Sequence, residues 1–253
     1  WQFTPAEDQT ISNVKNSFHP FTVSVSTGAP AKLLVYVDGQ QSQRSGCTNQ
    51  NSACASTDGK GRQGSMSDKT AGTSFNVRVK SVDQYYNSVG ASSQPIINIL
   101  TSDDPRDTTE SSYSNVALSG GDNTFTITPI AKGNGRVLTV TGAGDESDTW
   151  NDLTYNTKAN TASSPKKLLV KLPGEVIDSN YSIGKQACVT SGVSPCPTQW
   201  VAGTTYTVTV YAADGFMNTY DPADVLSQQP AVYLVTSDPY DVNPATITLE
   251  NGT

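Results

Sequence analysis

The chain has little of what catalysis, nucleic-acid binding or membrane insertion requires. Its 253 residues include one histidine, His19, and no Gly-x-Ser-x-Gly, phosphate-loop or His-Glu-x-x-His motif. Charged residues make up only 15% of the chain, and the net charge of −7 opposes binding to nucleic acid. No apolar run approaches the roughly 18 residues that span a bilayer. We therefore expect no enzyme, no cofactor, no nucleic-acid partner and no membrane span.

The four cysteines form two close pairs. Cys47 and Cys54 are 54 − 47 = 7 residues apart, and Cys188 and Cys196 are 196 − 188 = 8 residues apart. Metal sites are typically built from shorter spacings with further ligands nearby. The pattern favours two local disulfides, Cys47–Cys54 and Cys188–Cys196, over four buried thiols. Disulfides in turn indicate an extracellular or cell-surface location.

One sequence unit is used twice. The stretch Lys32-Leu33-Leu34-Val35 returns as Lys167-Leu168-Leu169-Val170, which is 167 − 32 = 135 residues later. The stretch Ala71-Gly72-Thr73 returns as Ala202-Gly203-Thr204, which is 202 − 71 = 131 residues later. Each copy carries one of the cysteine pairs. A nearly constant period indicates one structural unit repeated in tandem.

The second copy stops before its last strands. Val116-Ala117-Leu118 matches Ile247-Thr248-Leu249, and the given sequence ends 253 − 249 = 4 residues later. Residues 1–28 resemble the missing part, with Phe-Thr first, a polar middle, and an alternating stretch leading into Thr-Gly-Ala. We therefore predict that residues 1–26 are an N-terminal strand segment that is donated to another unit. The stretch 21–27 has an alternative as a strand of the first domain, because it is continuous with Lys32. Its predicted contact residues are the apolar ones, namely Trp1, Phe3, Ile11, Val14 and Phe18.

Strand patterns dominate both copies. Phe75, Val77 and Val79 alternate with polar residues, and Gly, Asn, Asp and Pro punctuate the chain every ten residues or so. This predicts an all-β protein of two tandem immunoglobulin-like β-sandwich domains, 27–144 and 166–253, the second lacking its final strands. Residues 145–165 are either a linker or an added edge strand. The predicted core of the first domain is Leu33, Val35, Phe75, Val77, Val79, Ile97, Ile99, Val116 and Leu118. The predicted core of the second is Leu168, Val170, Tyr206, Val208, Val210, Val232, Leu234, Ile247 and Leu249.

The strings from Ala71 to Val79 and from Ala202 to Val210, each ending a few residues before an Asp and an Asn, resemble a known class. They look like bacterial immunoglobulin-like tandem repeats of large surface proteins, adhesins and extracellular filaments. The resemblance covers most of each copy. It implies an immunoglobulin-like fold and a surface location.

Acidic residues suggest two further features. Asp145, Glu146 and Asp148 cluster at the predicted domain junction, where they either bind calcium or are simply solvated. Asp83 and Asp214 occupy matching positions, each followed four residues later by an asparagine, Asn87 or Asn218. This pattern either closes a hairpin by an Asx-type turn or forms a ligand site, and the turn is favoured.

Together these features predict a structural subunit of an extracellular filament or surface array. Copies of the chain would join head-to-tail by β-strand addition, giving a homopolymer. One alternative is a fragment of a tandem-repeat cell-surface adhesin, in which the missing strands follow residue 253. Another is a carbohydrate-binding module with a host or cell-surface glycan as its partner. The candidate platform aromatics for that module are Tyr85, Tyr86, Tyr113, Trp200, Tyr211 and Phe216.

Overall fold

The computed structural model describes most of both repeats. The described residues are 28–37, 40–42, 62–63, 66–84, 86–90, 95–100, 103–142, 152–161, 167–221, 229–240, 246–250 and 252–253. Among them the regular secondary structure is nearly all β-strand, with one short helix, α1 (Thr109–Ser112), and one 3₁₀ turn (Ser119–Gly121). The strands are β1 (Lys32–Val37), β2 (Gln41–Ser42), β3 (Arg62–Gln63), β4 (Lys69–Thr70), β5 (Phe75–Val82), β6 (Ile96–Leu100), β7 (Val116–Ala117), β8 (Asp122–Ile127), β9 (Gly133–Gly142), β10 (Asp152–Lys158), β11 (Lys167–Lys171), β12 (Thr209–Ala213), β13 (Ala231–Val232) and β14 (Ile247–Thr248).

Strands β1 to β10 form what we call the first unit. One sheet has the order β1-β5-β8 and the other the order β4-β10-β9-β6-β7, while β2 and β3 pair as a separate two-stranded sheet. All pairs are antiparallel except β4 with β10. A single apolar cluster draws residues from both large sheets, so the two sheets pack face to face.

Alternation along the strands explains this packing. In β5 the residues Phe75, Val77 and Val79 are buried, while the polar residues between them point outward. The predicted core of the first unit is confirmed, with Val116 partly buried against the cluster. The cluster also includes Leu153 and Tyr155 of β10, which was not predicted as part of this core.

Strands β11 to β14 form the second unit, and they repeat the register of the first. Lys32 pairs with Val82 across β1 and β5, and Lys167 pairs with Ala213 across β11 and β12. Likewise Ile97 pairs with Val116, and Val232 pairs with Ile247. The sequence repeat is therefore a repeat of strand pairing as well. The immunoglobulin-like topology of the two units stays a prediction, as do the domain boundaries.

The predicted core of the second unit is wrong at most positions. Leu249 is buried, but Leu168, Val170 and Ile247 are exposed. The remaining predicted core residues are half-buried, namely Tyr206, Val208, Val210, Val232 and Leu234. Strand β12 begins only at Thr209, so Tyr206 and Val208 precede it. The physical reason is that burial on one face of a sheet requires a second sheet, and the described residues of this unit supply no counterparts of β8, β9 and β10.

Candidate assembly interface

The second unit exposes apolar side chains at positions that are buried in the first. Leu33 is 1% exposed, whereas Leu168 at the matching position is 49% exposed. Val35 and Val170 differ in the same way, at 1% and 39%. Ile247, the counterpart of the partly buried Val116, is also exposed. We call Leu168, Val170 and Ile247 the uncovered face.

The first unit shows what covers this face when a unit is complete. Its core cluster takes Phe125 and Ile127 from β8, and Leu138 and Val140 from β9. Leu153 and Tyr155 come from β10, with the Tyr155 ring edge-on to Phe75 at a centroid distance of 5.6 Å. The described part of the second unit has only a small buried cluster, which consists of Ala159, Ala212, Tyr220 and Leu249. It therefore lacks the apolar side chains that would close its core.

The second unit also has unpaired strand edges among its described strands. In the first unit β5 lies between β1 and β8, and β6 lies between β9 and β7. In the second unit β12 pairs with β11 alone, and β13 pairs with β14 alone. One bond continues along the open edge of β12, from the Ala212 N–H to the Gly252 carbonyl at 2.8 Å. Open strand edges beside exposed apolar residues form a template for added strands.

Strand β10 lies in one unit but precedes the other in the chain. It ends at Lys158, shortly before β11 begins the second unit at Lys167. In space it lies between β4 and β9 of the first unit, antiparallel to β9. The strand that leads into a unit thus completes the unit before it.

A polar turn follows β5 in the first unit and β12 in the second, and its two copies have the same hydrogen bonds. In the first unit the Asn87 N–H donates to Asp83 Oδ1 at 2.9 Å, and Asn87 Nδ2 donates to Asp83 Oδ2 at 2.8 Å. In the second unit the corresponding bonds from Asn218 to Asp214 are both 2.9 Å. The predicted turn is present in both units.

The aspartates of the same turns also bind the backbone just before the first strand of each unit. The Gly28 N–H donates to Asp83 Oδ2 at 3.0 Å, and the Asn160 N–H donates to Asp214 Oδ2 at 3.0 Å. Gly28 is therefore the structural counterpart of Asn160. By position in the repeat, residues 21–27 therefore match residues 153–159, which include most of β10.

The two units meet at a joint built largely from hydrogen bonds. Asn218 is fully buried there, with Nδ2 donating to the Ile130 carbonyl at 2.8 Å and Oδ1 accepting from the Lys132 N–H at 2.9 Å. Lys132 Nζ donates to the Thr219 carbonyl at 2.8 Å and pairs with Asp221 at 2.7 Å. These contacts fix the turn of the second unit against the β8–β9 loop of the first.

Further contacts surround this joint. The Asn160 side chain donates to the Ala71 carbonyl at 3.1 Å, and Arg136 donates to Asn180 Oδ1 at 2.9 Å. Gly72 has a positive φ of 73°, and a Cβ atom there would collide with the Phe216 ring. Sequence reasoning identified the turn but missed these partners, because they are far away along the chain. The matched Asp-x-x-x-Asn positions were the only local signal.

Of the remaining predicted site residues, only two lie within the part of the chain that the structure describes. Cys188 and Cys196 form the expected disulfide, with Cys196 buried. The other predicted site residues lie outside the described residues, namely Cys47, Cys54, Asp145, Glu146, Asp148, Trp1, Phe3, Ile11, Val14 and Phe18. Their predicted roles stay predictions.

The acidic loop of the first unit has a structural role. Asp104 is buried, and its Oδ2 accepts from the N–H groups of Ile130 and Ala131 at 2.8 and 3.0 Å. Asp107 Oδ1 accepts from Thr109. Burial raises the pKa of the Tyr155 hydroxyl, and the charges of Asp104 and Asp107 raise it further. Within the described ranges, no group of three or more acidic, His or Cys side chains is placed to bind a metal ion.

The candidate glycan-binding aromatics that the structure describes lie in different environments. Tyr86 is buried, Tyr113 packs edge-on against Phe125, and Phe216 lies at the joint. Trp200 is half-exposed and stacks on Tyr206, with the ring planes 5° apart. Among the described members of the set, no platform of coplanar aromatics is therefore assembled, and Tyr85 lies outside the described residues. The glycan partner stays a prediction.

Comparisons with known proteins give one distant structural match. No family model and no curated protein matches the chain. The solved structure of domains 5–6 of the S-layer protein SbsC aligns at 12% identity. The alignment covers 75% of this chain and 82% of that one, with a TM-score of 0.27. A TM-score of this size does not establish a common fold. The described residues contain no helix that is both long and apolar enough to cross a membrane.

Proposed function

We propose that this chain is a structural subunit of an extracellular filament or surface array, whose copies join head-to-tail by β-strand addition. The observation that carries the proposal is the uncovered face of the second unit. Burying three half-exposed aliphatic side chains would contribute roughly 1 kcal/mol each, at about 25 cal/mol per Å² of apolar surface. The disulfide between Cys188 and Cys196 suits an extracellular location.

The proposed donor is the segment 1–26 of a neighbouring copy. Residues 21–27 correspond to the chain around β10, and Phe21, Val23 and Val25 alternate as the buried residues of β10 do. The first unit of the same chain has no room for this strand, because its own β10 already lies between β4 and β9. By the geometry of β10, the segment belongs to a unit that precedes the first one. The second unit of the same chain follows the first, and under this proposal the acceptor is therefore the second unit of another copy.

The tandem-repeat adhesin remains the second candidate, and one observation favours it. The bond from the Ala212 N–H to the Gly252 carbonyl holds the end of the given sequence at the open edge of β12. At the same place in the first unit, the 3₁₀ turn leads into β8, which pairs with β5. A polypeptide continuing in that direction would supply the missing strands in cis. In that case the uncovered face would be closed within one chain. The absence of a catalytic activity and of a cofactor stays a prediction under both candidates.

Single substitutions in residues 21–26 test strand addition. Val23 corresponds to buried Tyr155, and Ser24 corresponds to the half-buried Asn156. We expect Val23→Asp to prevent assembly, because the carboxylate would enter an apolar core without a partner. The matched control Ser24→Asp should assemble nearly as the unmodified chain does. Sedimentation velocity and negative-stain electron microscopy measure the outcome. Equal assembly by both variants would exclude residues 21–26 as the added strand.

A further inference from the structure

Four buried polar atoms at the joint end of the first unit have no hydrogen-bond partner among the described residues. They are Asp107 Oδ2, Arg136 Nε, Tyr155 OH and Thr157 Oγ1. The side chains of Arg136, Tyr155 and Thr157 belong to residues that are only 7%, 4% and 2% exposed. Burying a polar group without a partner costs free energy, so four such atoms in one region indicate a shared partner.

Three of these atoms lie side by side on β9 and β10. Tyr155 pairs with Arg136, and Thr157 pairs with Gly133. The register shifts between these two pairs, since two residues of β10 are matched by three of β9. Arg136 and Gly133 therefore both lie beside the buried β10 side chains. The guanidinium lies over Gly133, where a Cβ atom would collide with Arg136 Nε, so this nitrogen points towards the position that pairs with Thr157.

A chain of hydrogen bonds brings Asp107 to the same place. Arg136 Nη2 donates to the Ala131 carbonyl at 3.2 Å, and the Ala131 N–H donates to Asp104 Oδ2 at 3.0 Å. The Asp107 N–H in turn donates to the Asp104 carbonyl at 3.0 Å. Burial is the main cause of the raised pKa of the Tyr155 hydroxyl, but the charges of Asp104 and Asp107 raise it further and that of Arg136 opposes them. These charged groups therefore lie near the hydroxyl.

The hydrogen-bonding capacities of the four atoms select the kind of ligand. Arg136 Nε can only donate, the Asp107 carboxylate can only accept, and the hydroxyls of Tyr155 and Thr157 can do either. A cation does not match the site, because the Arg136 N–H cannot coordinate it. An anion does not match it either, because the Asp107 carboxylate would repel it. A water molecule donates two hydrogen bonds and accepts two, which fits all four atoms.

We propose that a bound water links Asp107 Oδ2 to Arg136 Nε, with the hydroxyls of Tyr155 and Thr157 as its other two partners. The water would accept from Nε–H and from one hydroxyl, and it would donate to the carboxylate and to the other hydroxyl. The result is a buried pair of opposite charges joined through water. This inference does not depend on how copies of the chain assemble.

The site bears on the joint between the two units. Arg136 Nη2 donates to Asn180 Oδ1 of the second unit at 2.9 Å and to the Lys132 carbonyl at 2.8 Å. The guanidinium therefore spans from the first unit to the second. A water bound at Nε would hold the other side of the same guanidinium and so fix the orientation in which it reaches Asn180.

Two substitutions in the full-length chain test the proposal by the sign of their effect. Tyr155→Phe and Thr157→Val each remove one hydroxyl and leave the shape of the side chain nearly unchanged. If the water is bound, each variant loses one hydrogen bond, and the unfolding equilibrium constant of the first unit should rise about fivefold. If the hydroxyl has no partner, its removal relieves a buried polar group, and the constant should fall. Hydrogen exchange of the β9 amides measures the constant.

Thr154→Val is the matched control for Thr157→Val. Thr154 lies on the exposed face of the same strand, so this variant measures the effect of a valine on β10 without a change at the site. A fall in the unfolding constant of Tyr155→Phe relative to the unmodified chain, or of Thr157→Val relative to Thr154→Val, would contradict the proposal, because each hydroxyl is assigned a bond to the water.

A crystal structure of the full chain identifies the occupant directly. The proposal predicts one density peak at hydrogen-bond distance, about 2.7–3.2 Å, from both Asp107 Oδ2 and Arg136 Nε. A peak about 2.4 Å from the carboxylate oxygen would identify a cation instead. A direct bond between Asp107 and Arg136 with no peak between them would exclude the water. Either of these two results would overturn the proposal.

Discussion

Truncation of two equivalent leucines should have unequal effects in the dissociated chain. Leu33 and Leu168 occupy the same place in the repeat, but their exposed fractions are 1% and 49%. We expect Leu33→Ala to destabilise the first unit by about 3 kcal/mol, because it removes apolar contacts and leaves a cavity. Full burial of a leucine side chain contributes roughly 1.5–3 kcal/mol to stability, and only about half of the Leu168 surface is buried. No enclosed cavity forms there, so Leu168→Ala should cost about 1 kcal/mol.

Native-state hydrogen exchange measures both effects in one chain. The free energy of opening is read from the β5 amides for Leu33→Ala and from the β12 amides for Leu168→Ala. The Val23→Asp background, which is expected to prevent assembly, provides the dissociated chain. In assembled material without that substitution, the cost of Leu168→Ala should rise towards the Leu33→Ala value, because added strands would bury the side chain. Equal costs at the two leucines in the dissociated chain would show that the face is already covered, which would refute the reasoning.

Three further predictions concern single features. Reducing the Cys188–Cys196 disulfide should lower the unfolding free energy of the second unit by about 2–3 kcal/mol, as judged by denaturant melts with and without reductant. Asn218→Ala should weaken the contact between the two units by roughly 1–3 kcal/mol, because it leaves the Ile130 carbonyl and the Lys132 N–H without their partner. Small-angle scattering should then show a broader distribution of distances within the chain. Burial opposes ionisation of Glu175, but the Leu172 N–H and Lys185 outweigh it and lower the pKa below 4.5. Stability from Glu175 should therefore be complete above about pH 5 and be lost as the pH falls through the folded pKa.

Each of these predictions has its own control. Cys188→Ser should reproduce the effect of reductant and be insensitive to it. Asn87→Ala should leave the distance distribution within one dissociated chain unchanged, since Asn87 lies away from that joint. Glu175→Gln should remove the acid-dependent part of the unfolding curve for the second unit, as measured between pH 3 and 6. A curve that keeps its shape in that variant would mean that other carboxylates cause the pH dependence.

Local patterns predicted the first unit well. The alternation of Phe75, Val77 and Val79 indicated β5 and its buried face, and the spacing of Cys188 and Cys196 indicated their disulfide. These features depend on residues that are close together in sequence. The period-two pattern specifies which face is apolar, and in the first unit a second sheet is present to bury it.

Prediction failed where a feature depends on distant partners. Leu168 and Val170 have the same pattern as their first-unit counterparts, but burial depends on strands that the pattern does not contain. The stretch 145–165 was expected to be a linker or an edge strand. It contains β10, and no local sequence pattern indicated that this strand lies between β4 and β9. The bond from the Lys132 N–H to Asn218 Oδ1 joins residues that are 86 positions apart, so no periodicity could reveal it.

Isotope-resolved cross-linking tests strand donation between copies most directly. Assemblies formed from a mixture of heavy and light chains are treated with an amine-specific reagent, and the linked peptides of Lys15 are identified by mass spectrometry. Strand addition predicts mixed heavy–light links from Lys15 to the second-unit lysines, Lys167, Lys171 or Lys185. Links from Lys15 found only within one chain, or only to lysines of the first unit, would contradict head-to-tail assembly.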